Sequence, residues 1–172
     1  MTDAATAETD DYSGLLGAFR YSFRASDSMA FKFYVLVSFV LGVFLAIIFV
    51  LALVFWFTEV LGQSALTTTS NAFLGVIAIF VLGPLFAPVL FVARRHRRGE
   101  TPRPAYDTLL ALSGFVFVVS LYVGLVITVP PKYQSPNPGA VGGFLYSLPQ
   151  LSGLIPPLVA ALLVFVLHRL VR

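Results

Sequence analysis

The chain contains 172 residues, of which 58% are hydrophobic and 11% are charged. Soluble domains carry about 25% charged residues, so this composition excludes an ordinary soluble fold and requires the lipid bilayer as the solvent for most of the chain. The sequence has no cysteine, which excludes disulfides, thiolate metal ligands and cysteine nucleophiles.

The N-terminal segment divides into two parts. Residues 1–11 contain acidic but no basic residues, and we predict a disordered acidic tail. Residues 12–25 have apolar side chains at every fourth position and arginines in a neighbouring stripe, which predicts a short amphipathic helix in the inner membrane interface. Docking of this helix on a partner is the alternative. The apolar positions are Leu15, Phe19 and Phe23, and the arginines are Arg20 and Arg24.

The remainder of the chain, residues 28–172, is predicted to form a four-span membrane domain. Membrane strands need only about 9–11 residues and show an alternation that is missing here, whereas these apolar runs are long enough to cross the ~30 Å hydrocarbon core as helices. The fold class is therefore an all-α membrane protein with four transmembrane helices in two hairpins, preceded by the amphipathic interfacial helix. The spans lie at about residues 33–58, 72–93, 108–129 and 150–170.

Polar and proline-rich segments separate these elements. Ser26, Asp27 and Ser28 are predicted to turn the chain and to cap the first span. Residues 130–143 are rich in proline and glycine, which predicts an outer loop of ordered turns or flexible chain and not a domain. The prolines around residue 153 predict an irregular or re-entrant approach to the fourth span.

Basic residues are concentrated on one side of this topology. All of them except Lys132 fall in segments that share one side, and the positive-inside rule makes that side cytoplasmic. We therefore expect a multi-pass protein of the cell membrane with both termini in the cytoplasm. The expected lipid-headgroup contacts and topology anchors are Arg20, Arg24, Arg94, Arg95, Arg97, Arg98, Arg169 and Arg172.

The run Arg94-Arg95-His96-Arg97-Arg98 is the most basic motif in the chain. It could bind anionic lipid headgroups or nucleic acid, or it could act only as an anchor that prevents translocation of its loop. The loop is short and lies between two spans, so we favour the anchor. We expect no nucleic-acid binding, because no folded domain presents the basic patch.

Few residues could carry chemistry. His96, His168 and Asp107 fall at predicted cytoplasmic span ends, while Glu59 falls at the opposite end and could act as a gating carboxylate or lie in the outer interface. A metal site needs more ligands, and nucleophilic catalysis needs a nucleophile beside a base. We therefore predict no catalytic, cofactor-binding or metal-binding residues, and we interpret the two histidines as caps of the span ends.

Prolines occur within the second and fourth predicted spans. Each proline in a helix removes a hydrogen bond and bends the helix, and broken helices can frame a binding site or pathway. We interpret these residues first as kinks, with a role in lining a pathway as the alternative. They are Pro84, Pro88, Pro156 and Pro157.

Two small-xxx-small pairs can bring helices close together. They are Gly42-x-x-x-Ala46 and Ser120-x-x-x-Gly124. Such pairs are frequent in spans rich in glycine and alanine. We therefore expect packing within the chain and not between copies.

Four stretches resemble small integral membrane proteins of haloarchaea that are grouped as a domain of unknown function. They are residues 13–28 (SGLLGAFRYSFRASDS), 87–99 (APVLFVARRHRRG), 121–131 (LYVGLVITVPP) and 153–160 (GLIPPLVA). The resemblance covers nearly the whole chain. It implies a location in the cytoplasmic membrane and supplies no activity.

These observations lead to three functional hypotheses. We favour a non-enzymatic structural or accessory subunit, with membrane lipid as a partner and a membrane protein or a second copy as a further one. The alternative is a small transporter or channel component lined by the proline-bearing spans two and four. A membrane enzyme is the weakest hypothesis, since Glu59 is predicted on the opposite side from the other candidate groups.

Overall fold

The computed structural model describes residues 14–60, 66–99 and 104–171, and for residues 55–60, 66–77 and 104 it describes the helical backbone alone. The described chain forms six α-helices and no strand, which confirms the all-α class. The helices are α1 (Gly14–Ala25), α2 (Met29–Val60), α3 (Leu66–Arg97), α4 (Pro104–Ile127), α5 (Gly139–Ser147) and α6 (Ile155–Leu170).

Four helical segments are long and apolar enough to cross a membrane. They are Met29–Val54, Ala78–Arg97, Ala105–Ile127 and Gln150–Leu170. The first begins earlier than the expected residue 33, because Ser28 caps α2: its hydroxyl accepts the backbone N–H of Phe31 at 3.3 Å. Lys32 lies in the first turn of α2, and its ammonium is 5.9 Å from the centre of the Phe23 ring. The charge therefore lies beside α1.

Helix α4 is the centre of the bundle. It makes its most extensive contact with α6 and also packs against α2, α3 and α5. Accordingly, 44% of the most apolar stretch of α4 is buried inside the bundle, compared with 17% in α2. The helices of each predicted hairpin, α2 with α3 and α4 with α6, are in contact, and α4 also packs against both helices of the first hairpin.

The two prolines of α3 lie inside an uninterrupted helix. Pro88 lacks the N–H that would bond the carbonyl of Pro84, and neighbouring helices commonly satisfy backbone groups at such points. Here the buried hydroxyl of Tyr34 donates to the adjacent carbonyl of Leu85 at 2.6 Å. The Tyr34 ring passes over Gly114 of α4, where no β-carbon would fit. One side chain of α2 thus fixes α3 and α4 at the proline-bearing turn.

Two of the small residues singled out in the sequence, Gly42 and Gly124, pack within the chain as expected, whereas Ala46 is exposed. The ring of Phe86 lies against Gly42, and the backbone of Gly124 touches the backbone of Gly153. A β-carbon at Gly124 would also lie 3.2 Å from Cγ of Pro157. The absence of side chains at both glycines therefore sets the close approach of α4 to the start of α6.

The segment between α4 and α6 contains more regular structure than the sequence predicts. A 3-10 helix covers Pro131–Tyr133, α5 covers Gly139–Ser147, and a second 3-10 helix covers Gln150–Leu154. Helix α5 contacts α4, so tertiary packing orders a glycine-rich sequence of weak helix propensity.

Pro156 and Pro157 do not kink the fourth span. They lie in the first turn of α6, where backbone N–H groups have no partner within the helix. Proline therefore costs no hydrogen bond there, and the two prolines begin the helix. The interpretation as kinks stays a prediction for Pro84 and Pro88, which lie inside α3.

Some predictions concern residues outside the described part of the chain. These are the acidic tail at residues 1–11, the anchor Arg172 and the side chain of Glu59.

Candidate functional site

Polar residues of three helices and one turn meet at one end of the bundle, which we call the arginine end. It contains the turn between α1 and α2, the last turns of α3 and α6, and the first turn of α4. The bonds described below hold these parts together, and Arg94, Arg97 and Arg98 lie exposed at their edge.

A carboxylate joins three of these parts. Asp107, which is only 6% exposed, lies in the first turn of α4, where the helix dipole favours a negative charge. Its Oδ2 atom accepts a hydrogen bond from the Ser26 hydroxyl at 2.5 Å and another from Nε2 of His96 at 3.0 Å. The α1–α2 turn and the end of α3 are therefore both tied to α4 through one oxygen atom.

The same turn makes a second link to α4. The hydroxyls of Ser28 and Thr108 lie 2.8 Å apart and share a hydrogen bond. The Ser26 hydroxyl in turn accepts the backbone N–H of Ser28 at 3.2 Å. The cap of α2, the turn and the start of α4 thus form one hydrogen-bonded unit.

A second cluster joins α3, α4 and α6. The hydroxyl of Tyr106 and Nδ1 of His168 share a hydrogen bond of 2.7 Å, and the imidazole stacks on the Phe91 ring at 4.0 Å between centroids. The Arg95 guanidinium lies 4.2 Å from the centre of the Tyr106 ring and donates to the carbonyl of Val171 at 3.2 Å. Arg95 therefore satisfies a backbone acceptor at the end of α6, as basic side chains do at helix C-termini.

Two surface depressions adjoin this end. The first has a volume of about 460 Å³ and is lined by Leu90, Arg94, Arg97 and Arg98; we call it the basic groove. The second, which we call the apolar crevice, has a volume of about 490 Å³ and lies between α3 and α6. Its walls are apolar, and Leu90 also lines it, so the two depressions meet at this residue.

The structure separates the predicted arginines by role. Arg94, Arg97 and Arg98 line the basic groove, whereas Arg95 is turned into the bundle towards Tyr106. The remaining described anchors are exposed, on α1 and at the end of α6; they are Arg20, Arg24 and Arg169.

The prolines singled out in the sequence also lie in different surroundings. Pro84 lines the apolar crevice, while Pro157 packs near Gly124 on α4. His96 bonds to the side chain of Asp107, and His168 bonds to that of Tyr106, so both histidines link their helices to α4.

Sequence reasoning found the cap at Ser28 but missed the partners of Asp107. The bonds from Ser26 and His96 join residues 81 and 11 positions apart in the chain, and each bond joins different elements, so no helical period relates its partners. The only available signal was the coincidence of polar residues at predicted span ends on the same side. Tyr106 gave no signal beyond its position near Asp107.

The fold and this site define a helical bundle with four helices of membrane-spanning length, fastened at one end by buried polar bonds. The chain belongs to a family described as a domain of unknown function (DUF8056), which matches residues 1–172. No curated protein and no solved structure matches the chain.

Proposed function

We propose that this chain is a multi-pass protein of the cell membrane that acts as a non-enzymatic structural or accessory subunit. The observation that carries the proposal is the bonding at the arginine end, where Asp107 bonds to Ser26 and His96, and Tyr106 bonds to His168. These are the groups that chemistry would require, and here they hold helices together. The haloarchaeal origin that the resemblance implies stays a prediction.

The order of the bonds argues against nucleophilic catalysis. In a catalytic triad the histidine lies between the hydroxyl and the carboxylate, so that it can take the hydroxyl proton. Here the carboxylate lies between the two, because Ser26 and His96 both donate to Oδ2 of Asp107. The serine is therefore bonded directly to the carboxylate, and no histidine lies between them to take its proton as in a triad.

The distribution of arginines supports a cytoplasmic arginine end. The exposed arginines of α1, α3 and α6 converge there, whereas the loop after α4 carries Lys132. Basic residues near span ends favour the cytoplasmic side.

Topology can be tested directly because the chain has no native cysteine. We expect an impermeant maleimide applied outside intact cells to label Ser135→Cys, and to label Asp27→Cys only after permeabilisation. Both positions are exposed, and they lie in the loop after α4 and at the arginine end. Labelling of Asp27→Cys in intact cells would refute the cytoplasmic orientation of the arginine end, and release of the protein by alkaline carbonate would refute membrane insertion.

The accessory role is supported by the surface of α2. The part of α2 that could cross the membrane is apolar, and many of its large side chains are more than a third exposed, such as Phe33, Val40, Phe44 and Ile47. This face contacts lipid, a second copy or another membrane protein. Photo-cross-linking from position 44, with the equally exposed Val119 of α4 as the control position, should give one discrete adduct from α2. A monomer in mild detergent that gives no adduct from either helix contradicts the accessory role.

A small transporter or channel component is the second candidate. The observation that favours it is the position of Pro84 in the wall of the apolar crevice. Pro156 and Pro157 lie in the first turn of α6 and do not line the crevice. This weakens the hypothesis that the prolines of span four line a pathway. Unchanged solute flux from liposomes that contain the purified protein would exclude this candidate.

A further inference from the structure

One face of α3 changes from apolar to basic along its length. Gly83, Ala87 and Leu90 line the apolar crevice, and Arg94 and Arg98 line the basic groove. These positions are three or four residues apart, so they form a single stripe on the helix. The apolar crevice and the basic groove are therefore two parts of one continuous surface.

Small side chains create the crevice. Gly83 and Ala87 on α3 face Ala161 on α6, while the larger Phe80 and Leu162 lie at its rim. A β-carbon built at Gly83 meets no atom within 4 Å. The crevice is therefore open beside Gly83.

The length of the crevice matches one leaflet. Its wall on α3 runs from Ile79 to Phe91, which is about 18 Å at about 1.5 Å per residue. Half of the ~30 Å hydrocarbon core is about 15 Å. The arginines then begin at Arg94, at the depth where headgroup phosphates lie.

We propose that the apolar crevice and the basic groove together form a binding site for one anionic phospholipid. An acyl chain lies between α3 and α6, and the headgroup phosphate contacts Arg94 and Arg98. Guanidinium groups bind phosphate through paired hydrogen bonds. The inference rests on the proposed membrane insertion.

Charge complementarity selects this occupant over others. A transmembrane helix of a partner could fill the crevice but would place no phosphate against the arginines. A zwitterionic lipid could fill both parts, yet its cationic headgroup moiety would lie beside Arg94, Arg97 and Arg98. A lipid with net negative charge is the membrane component that suits both the apolar and the basic part.

The test is native mass spectrometry of the full chain in micelles titrated with phosphatidylglycerol or phosphatidylcholine. We expect the wild type to retain one phosphatidylglycerol in preference to phosphatidylcholine. Each basic side chain near an anionic surface contributes about a factor of five, so the double variant Arg94→Gln/Arg98→Gln should bind phosphatidylglycerol roughly 25-fold more weakly. The matched control is Arg20→Gln/Arg24→Gln, which removes the same charge from exposed arginines of α1.

A second pair of variants tests the apolar part. Gly83→Leu places a side chain in the empty crevice, and Ala87 before Pro88 shows that α3 accommodates a β-carbon before a proline. We expect Gly83→Leu to lose phosphatidylglycerol retention and Gly143→Leu, in α5, to keep it. At Gly143 an added β-carbon meets only Cγ of Pro138 at 3.9 Å.

The outcomes separate this site from the membrane proposal. Equal retention of both lipids by the wild type, equal losses in the two arginine double variants, or full retention by Gly83→Leu would each overturn the site. In all three cases a protein that resists carbonate extraction would leave the membrane proposal intact. Release by carbonate would overturn both.

Discussion

The contact between Gly124 and Gly153 gives the sharpest prediction for stability. A β-carbon at Gly124 would collide with the backbone carbonyl oxygen of Gly153, and one at Gly153 would lie 2.6 Å from the carbonyl oxygen of Gly124. Backbone atoms cannot rotate away as a side chain can. Gly124→Ala therefore forces α4 and the segment before α6 apart.

The expected magnitude follows from two opposing effects. Overpacking of this kind costs about 1–3 kcal/mol, whereas alanine is favoured over glycine in a helix by about 1 kcal/mol. Gly143→Ala in α5 makes the same exchange at a position where the added carbon meets only Cγ of Pro138 at 3.9 Å. We expect Gly124→Ala to have a free energy of unfolding about 1–3 kcal/mol below that of Gly143→Ala.

The assay is unfolding in mild detergent titrated with sodium dodecyl sulfate and followed by helical circular dichroism. Gly124→Ala and Gly153→Ala should not be additive, because one separation of the helices relieves both clashes. Equal stability of Gly124→Ala and Gly143→Ala, or strict additivity in the double variant, would refute the backbone contact.

Two further predictions use the same unfolding assay. Tyr34→Phe removes the hydroxyl bond to the proline-bearing turn of α3 and should lower stability by about 1 kcal/mol. The control is Tyr122→Phe, at a residue that is 69% exposed, and it should leave stability unchanged. Equal stability of the two variants would contradict a stabilising role for the Tyr34 hydroxyl. Asp107→Asn removes the carboxylate that Ser26 and His96 share and should lower stability by about 1–3 kcal/mol. The exposed Asp27→Asn loses the same charge and should change it by less than about 0.5 kcal/mol, so equal effects would exclude the proposed linking role.

The long helices could be predicted because their signal is composition over many residues. Apolar runs of this length have few other solutions in a bilayer, so the all-α class followed from the sequence. Boundaries were harder, since a helix continues past the point where charge begins: α3 runs on through its arginines to Arg97. Helix α5 could not be predicted, because its order depends on contact with α4.

The candidate site was predictable only in part. The arginines stand out by charge, and residues 94–98 were recognised as a basic run. The difference between Arg95, which turns inward, and Arg94, which lines the basic groove, depends on the orientation of α3 in the bundle. The apolar crevice depends on the pairing of α3 with α6, and no local pattern specifies which spans are neighbours.

The long-range bonds at the arginine end can form only late in the synthesis of the chain. Ser26 leaves the ribosome long before Asp107, which lies 81 residues later, and Arg95 precedes its acceptor Val171 by 76 residues. A nascent chain that ends before α4 therefore exposes the hydroxyl of Ser26 and the imidazole of His96 without the carboxylate they share. This end of the bundle is therefore completed only after Val171, which follows α6, has been synthesised.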